Sequence, residues 1–342
     1  MTTVPQIALI RDPRFLEHDT GGGDHPETPE RLLAIEQQLC NGPLAPHLVF
    51  HSSRMPQRED LLSFHSEAWL FRFEEAVLAG RTYIDHPDNQ VGYETYQVAQ
   101  LSAGSGMVAV DLVEGGFSGP VFSCTRPPGH HAEPGMPLGF CFLNNCVLAV
   151  RYWQKEYGRR RICVLDFDAH HGNGIQTAFD KDVDTLYISI HEHPSFSYPG
   201  TGYQEEQGTG PARGTVLNIP LAPGAGDARV IEVLDGPVQD ALERFQPQCL
   251  VVAAGFDAHR LDDMSGLAWS TDLYRIIGFR LGDWAARFCR GRMISILEGG
   301  YHPDSLAASV EAYLAGQLSA VTGSEGNSHP GREKSGEKQR CL

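Results

Sequence analysis

The sequence predicts an α/β protein, an open and largely parallel sheet sandwiched between layers of helices. Three observations predict it. Short apolar runs rich in Val and Ile recur along the chain. Their near-continuous apolarity is that of strands buried on both faces. Helix-like stretches separate them, and strands alternating with helices favour parallel crossovers.

In chain order the strand-like runs fall at residues 7–10, 121–124, 162–165, 186–190, 216–219, 250–254 and 293–297. The helix-like stretches fall at 29–38, with Pro29 near the helix start, and at 96–112, 141–156, 230–245 and 271–288. A single core stops growing near ~250–300 residues, so 342 residues allow one large domain or two small ones. No repeat or composition shift marks a boundary before the end. The reading is therefore one domain over 1–321 and a polar, Gly/Ser-rich tail over 322–342, expected to be disordered.

Composition narrows the function. Hydrophobic residues at 41% and charged residues at 20% are ordinary for a globular protein. A formal charge of −16 with no Lys/Arg block argues against nucleic-acid binding, which depends on neutralising phosphates. No run of ~18 apolar residues is present to span a membrane, and the start, MTTVPQIALIRD, does not read as a signal peptide. A reducing, cytoplasmic setting is expected. The eight Cys are scattered without a C-x-x-C pair and read as free buried thiols.

Ligands of open α/β sheets bind beyond the carboxyl ends of the strands, and three such junctions are unusually polar. The first reads DFDAHHGNG from Asp166. Strand periodicity would put Asp166, Asp168 and His170 on one face, where two carboxylates and an imidazole call for a cation. Asp and His suit Zn2+ or Fe2+. The second reads AAGFDAHRLDD, in which Asp257 can reach the same centre. Three ligands leave open positions, as in a catalytic metal site. The third reads TRPPGHHAEPG, setting His130 and His131 side by side as candidate bases. A fourth element, EGGY, presents Tyr301 from a glycine hinge, and a phenol can donate to a developing oxyanion.

With RPPGHHA, D-x-D-x-H-H-G-x-G, AGFD and GGY in order, the sequence resembles the histone deacetylase / acetylpolyamine amidohydrolase superfamily over residues 7–318. The HPETPERL run at 25–32 and the glutamate of EGGY are closer to class II and bacterial members. The resemblance implies an arginase-like three-layer fold around an eight-stranded parallel sheet. It implies Asp168, His170 and Asp257 as ligands of one zinc, with Fe2+ or Co2+ as substitutes. His131 matches the general base and acid, His130 an electrostatic partner oriented by Asp166, and Tyr301 the oxyanion donor. Phe140 and Tyr198 match the walls of an acyl-lysine tunnel, with Gly139, Gly299 and Met264 also at the substrate. Asp88 matches a rim aspartate and Arg31 an inner-channel arginine. Structural K+ would sit on the backbone of Asp166, Asp168 and His170 with Ser189 and Ile190, and a second on Phe179, Asp182 and Thr185.

The sequence departs from class I at two points. Asn173 stands where His131 would have an aspartate partner, and Tyr198 where Phe is commoner. The implied activity is hydrolysis of N-acetyl-lysine, or a related acyl-lysine, in proteins or peptides. The alternative is an amidohydrolase of small acetylated amines. Met264 favours the first, although Asp262 and Asp263 lie beside it. The intact set speaks against a non-catalytic acyl-lysine binder, and an arginase-type manganese enzyme would need more metal-binding Asp. A homo-oligomer is left open.

Overall fold

The computed structural model describes residues 5–21 and 25–323. Its main sheet has eight strands in the order β2-β1-β5-β10-β9-β6-β7-β8. They are β1 (Ile7–Ile10), β2 (Leu48–His51), β5 (Val121–Ser123), β6 (Ile162–Asp166), β7 (Thr185–Glu192), β8 (Val216–Leu221), β9 (Cys249–Ala254) and β10 (Met293–Leu297). Every pairing is parallel. A two-stranded antiparallel hairpin, β3 (Tyr83–Ile84) and β4 (His86–Gln90), stands apart.

Helices α1 (Glu30–Asn41), α2 (Arg58–Leu61), α3 (Glu67–Leu78), α4 (Thr95–Glu114), α5 (Asn145–Tyr157) and α6 (Asn173–Phe179) come first. Then follow α7 (Asp227–Val233), α8 (Gln239–Phe245), α9 (Thr271–Cys289) and α10 (Pro303–Thr322). Alternate side chains of the central strands feed two separate apolar clusters. Val164, Val251, Ile294 and Ile296 pack with Val147, Val150 and Trp153 of α5. Leu165, Val252 and Leu297 pack with Leu281 of α9 and Val310 and Leu314 of α10. Both faces of the sheet are thus covered, the reason its strands read as unbroken apolar runs. No helix among the described residues is long and apolar enough to cross a membrane.

Several expectations change. The edge strand β2 has only half-buried or exposed side chains and so gave no apolar run. The hairpin, with the sequence HPDNQ in its second strand, gave none either. The helix expected from 141 begins at Asn145, whose predecessor Asn144 caps it by accepting from Val147 N at 3.1 Å. The helix expected at 230–245 starts at Asp227 and widens into a π turn over Leu234–Val238, where Pro237 has no N–H to give. Helix α10 runs through Thr322, and Gly323 ends it with φ +70°. The rest of the expected tail lies outside the described residues.

Candidate metal-dependent active site

Four neighbouring strands, β5, β10, β9 and β6, send their carboxyl ends into one cluster. His130 and His131 follow β5, Asp166–His170 end and follow β6, Asp257 follows β9, and Glu298–Tyr301 follow β10. Residues up to 171 positions apart meet because the strands between them are in register.

The periodicity reading of the first junction needs correction. Strand β6 stops at Asp166, so side chains 166, 168 and 170 do not share a strand face. Asp166 turns instead to His130, with Oδ2 3.1 Å from Nδ1, and also accepts from the Tyr187 hydroxyl at 3.1 Å. Asp168, His170 and Asp257 converge without it. Their ligating atoms all lie within 4.8 Å of one another, and all three residues are buried.

The orientation of each is fixed. Asp168 accepts from His170 N at 2.9 Å and from Gly299 N at 2.8 Å. Asp257 accepts from Ala169 N at 2.9 Å. His170 places Nδ1 2.9 Å from Asp257 Oδ2 and 3.2 Å from Asp168 Oδ1. Its Nε2 faces the Met264 carbonyl at 3.1 Å, so that nitrogen carries a proton. Burial opposes a charge on His170, but Asp168 and Asp257 outweigh it and push its imidazole well up, so Nδ1 holds a proton toward two carboxylates. A metal cation would take the place of that proton. Burial, then Asp168, pushes the Asp257 carboxyl up to about 6. The donor set, one imidazole and two carboxylates, fits a divalent transition metal. Gly299 is required by close approach, because a Cβ there would stand 2.5 Å from Asp257 Oδ2 and 2.6 Å from Asp168 Oδ2. A second buried trio, His130, Cys141 and Glu298, is less apt as a metal site. Glu298 Oε2 is occupied by Gly129 N at 2.7 Å and His130 N at 3.0 Å.

The two histidines are electrostatically unlike. Burial opposes a charge on His130, but Asp168 and Asp166 outweigh it and push its imidazole up to about 10. Burial, then His130 and His170, push His131 well below the ordinary range, leaving it neutral. His131 Nδ1 meets Asn173 Oδ1 at 2.8 Å. Burial pushes the Tyr301 phenol well up, so it stays protonated.

Tyr301 is not carried on a loose hinge. Its N–H donates to Asp262 Oδ2 at 2.6 Å, as does that of His302 at 3.1 Å, while Asp262 Oδ1 accepts from Met264 N at 3.1 Å. Asp262 is thereby buried, with both oxygens committed to backbone N–H groups. Asp263 is exposed. The Tyr198 ring stands edge-on to His131 at 5.0 Å, and Phe140 edge-on to Tyr301 at 5.7 Å. Gly139 and Phe140 both have positive φ, +51° and +68°. A Cβ on Gly139 would come within 2.5 Å of His131 Cδ2, and Phe140 N is held by Asn89 Oδ1 at 3.1 Å. Asp88 precedes that asparagine on the hairpin, and its carbonyl accepts from His25 Nε2 at 3.0 Å.

Beneath lies a buried charge cluster that sequence reasoning reached only at Arg31. Arg31 donates to the Gly300 carbonyl at 2.6 Å and to the Glu298 carbonyl, pairs with Glu27 at 3.1 Å, and lies 4.9 Å from the Tyr301 ring centroid. Arg126 grips Glu27 with two bonds of 2.8 and 2.7 Å. The partners are 99 positions apart. Of the residues assigned to potassium, Asp166 and Ser189 pair across β6 and β7. Asp182 already holds Arg151 at 2.9 Å, with the guanidinium 5.0 Å from the Phe179 ring, and Thr185 Oγ1 lies 3.4 Å from Asp182.

A sequence profile of the Histone deacetylase domain matches residues 25–317. The chain belongs to the histone deacetylase family. Among its relatives is a histone deacetylase-like amidohydrolase of Pseudomonas aeruginosa, 37% identical over 81% of this chain and 72% of that one. An acetylpolyamine amidohydrolase of Burkholderia pseudomallei is 37% identical over 66% of this chain and 64% of that one. The solved HDA15 HD domain superposes with a TM-score of 0.86 at 31% identity, covering 93% of this chain and 90% of that one. The eight-stranded parallel sheet with flanking helices is the arginase/deacetylase fold, and the chain is a hydrolase of the deacetylase and amidohydrolase family.

Proposed function

We propose that this family member is a zinc-dependent deacylase that hydrolyses the amide of N-acetyl-lysine, or a related acyl-lysine, in peptides or proteins. The observation that carries the reading is His170 Nδ1 aimed at Asp168 and Asp257, beside a neutral His131 and a protonated Tyr301. Asp168, His170 and Asp257 would hold one Zn2+. When bound, the cation supplies Lewis acidity, polarising an amide carbonyl and acidifying water.

The remaining work falls to side chains. His131 donates through Nδ1 to Asn173, which leaves Nε2 as the base that takes a proton from the attacking water. The same nitrogen passes that proton to the departing amine. His130, charged and paired with Asp166, stabilises negative charge gathering at the carbonyl. Tyr301 donates a hydrogen bond to the oxygen as it becomes an oxyanion. Phe140 and Tyr198 bracket the acyl-lysine methylenes, Gly139 and Gly299 let the chain pass close, and Asp88 accepts from the substrate backbone at the rim. Arg31 lines an inner channel. Structural K+ sites on Asp166, Asp168, His170, Ser189 and Ile190, and on Phe179, Asp182 and Thr185, belong to the same reading.

A second reading, hydrolysis of small acetylated amines, is favoured by the Burkholderia relative's likeness. The commitment of Asp262 to backbone takes that carboxylate from a cationic substrate and leaves exposed Asp263 as the acid beside Met264. A screen of the zinc-loaded protein against acetyl-lysine peptides, longer acyl-lysines and acetylpolyamines tests both. Preference for the peptide supports the first reading, and preference for the polyamine overturns it.

A further inference from the structure

His131 lacks a carboxylate partner, but a carboxylate stands one amide behind it. Asn173 Nδ2 donates to Glu133 Oε1 at 2.7 Å and to the His131 carbonyl at 3.2 Å. Glu133 Oε1 also accepts from Thr177 Oγ1 at 3.2 Å. Its backbone is fixed, since Glu133 N donates to the Met136 carbonyl at 3.0 Å. The side chains form a line, Glu133 to Asn173 to His131.

An ionised carboxylate only accepts, so the amide nitrogen must face Glu133 and the amide oxygen must face the imidazole. A flipped amide would set Oδ1 against the Glu133 carboxylate and an NH2 against His131. With Oδ1 on His131 Nδ1, that nitrogen carries the proton and the lone pair is on Nε2. A neutral amide accepts weakly, yet one whose N–H is drawn by a carboxylate accepts more strongly, because linked hydrogen bonds polarise one another. An Asp at 173 would instead face Glu133 with like charge.

We propose that Glu133 is a positioning residue for proton transfer. It locks the Asn173 amide, fixes the His131 tautomer and supplies, through that amide, the negative charge that steadies the imidazole when it takes a proton. The proposal rests on His131 being the proton-transfer group of the deacylase reading.

The test is a double-mutant cycle on the full, zinc-loaded chain with an acetyl-lysine peptide. Glu133→Gln should lower kcat about tenfold with little change in KM, within the range general base catalysis controls. Asn173→Asp should cost more. Adding Glu133→Gln to Asn173→Asp should recover at least about fivefold of the loss, because residues in one network are not additive. A double variant no better than Asn173→Asp alone overturns the proposal, as does Glu133→Gln within about twofold of the parent. A readout free of turnover is the downfield imidazole N–H proton resonance, assigned by its loss in His131→Ala. Glu133→Ala should shift or broaden it, and an unmoved resonance overturns the proposal. If the parent shows no turnover, the deacylase reading falls and the resonance alone decides the role of Glu133.

Discussion

His170 Nε2 bonds to the main-chain carbonyl of Met264 across 3.1 Å. The contact orients a candidate metal ligand through backbone, as outer partners of ligating histidines commonly do. The Met264 side chain is therefore free to vary without disturbing His170.

That freedom gives a specificity test. Met264→Glu should retain the metal yet raise kcat/KM for acetylspermidine relative to an acetyl-lysine peptide. An ion pair in a partly desolvated site contributes about 1–3 kcal/mol. Asp88→Ala should hurt the peptide more than the polyamine, because only the peptide brings a backbone to the rim. Competition kinetics with both substrates measures the ratio, and no change in it contradicts the placement of Met264 and Asp88.

Tyr301→Phe removes a donor that matters only as charge develops. It should lower kcat by on the order of 10²–10³ and leave KM nearly unchanged. Steady-state kinetics checks this, and a variant within threefold of the parent would leave Tyr301 a packing residue between Arg31 and Phe140.

The paired histidines should separate. His131→Ala should abolish turnover with the metal still bound, whereas His130→Ala should keep a measurable rate, its role being charge support with Asp166. Rates normalised to metal content decide it. The reverse ranking refutes the division.

Three buried histidines should each take stability from the fold on mild acidification. Burial pushes His18 down to about 3 and His65 and His191 to about 4, against an ordinary value near 6.5. Below pH ~6.5 the unfolded chain binds protons that the folded chain refuses, so stability is lost as pH falls toward these depressed values. Each site costs about 2 kcal/mol by pH 5. Because His130 and Asp257, pushed up, act in the opposite sense, urea unfolding at pH 7.5 and pH 5 is compared between the parent and His65→Gln and His191→Gln. Variants that lose as much stability as the parent on acidification would mean that these rings are not buried in the neutral form.

Much of this was legible in sequence, for a physical reason. Strands buried on both faces leave unbroken apolar runs, and the chemistry follows each run within a few residues, so Asp168, His170, Asp257, His131 and Tyr301 stood out. What was hidden depends on meetings across the chain or on the direction of a side chain. Strand β2 escaped because an edge strand needs no apolar run. Periodicity misdirected Asp166 because the strand ends on it, whereas the resemblance paired it with His130, where it lies. Asp262 read only as an acid beside Met264, although its oxygens cap the N–H groups of Tyr301, His302 and Met264. Nothing local to Glu27 announces Arg126, and nothing local to Glu133 announces Asn173.

The central claim is that Asp168, His170 and Asp257 hold a single metal on which amide hydrolysis depends. Its most direct test is acetate release from an acetyl-lysine peptide by chelated protein, followed as Zn2+ is added back. Turnover should be absent without metal and recover to a plateau at about one equivalent per chain, with Asp257→Ala recovering none. Full turnover by the chelated protein, or saturation only at two equivalents, would contradict it.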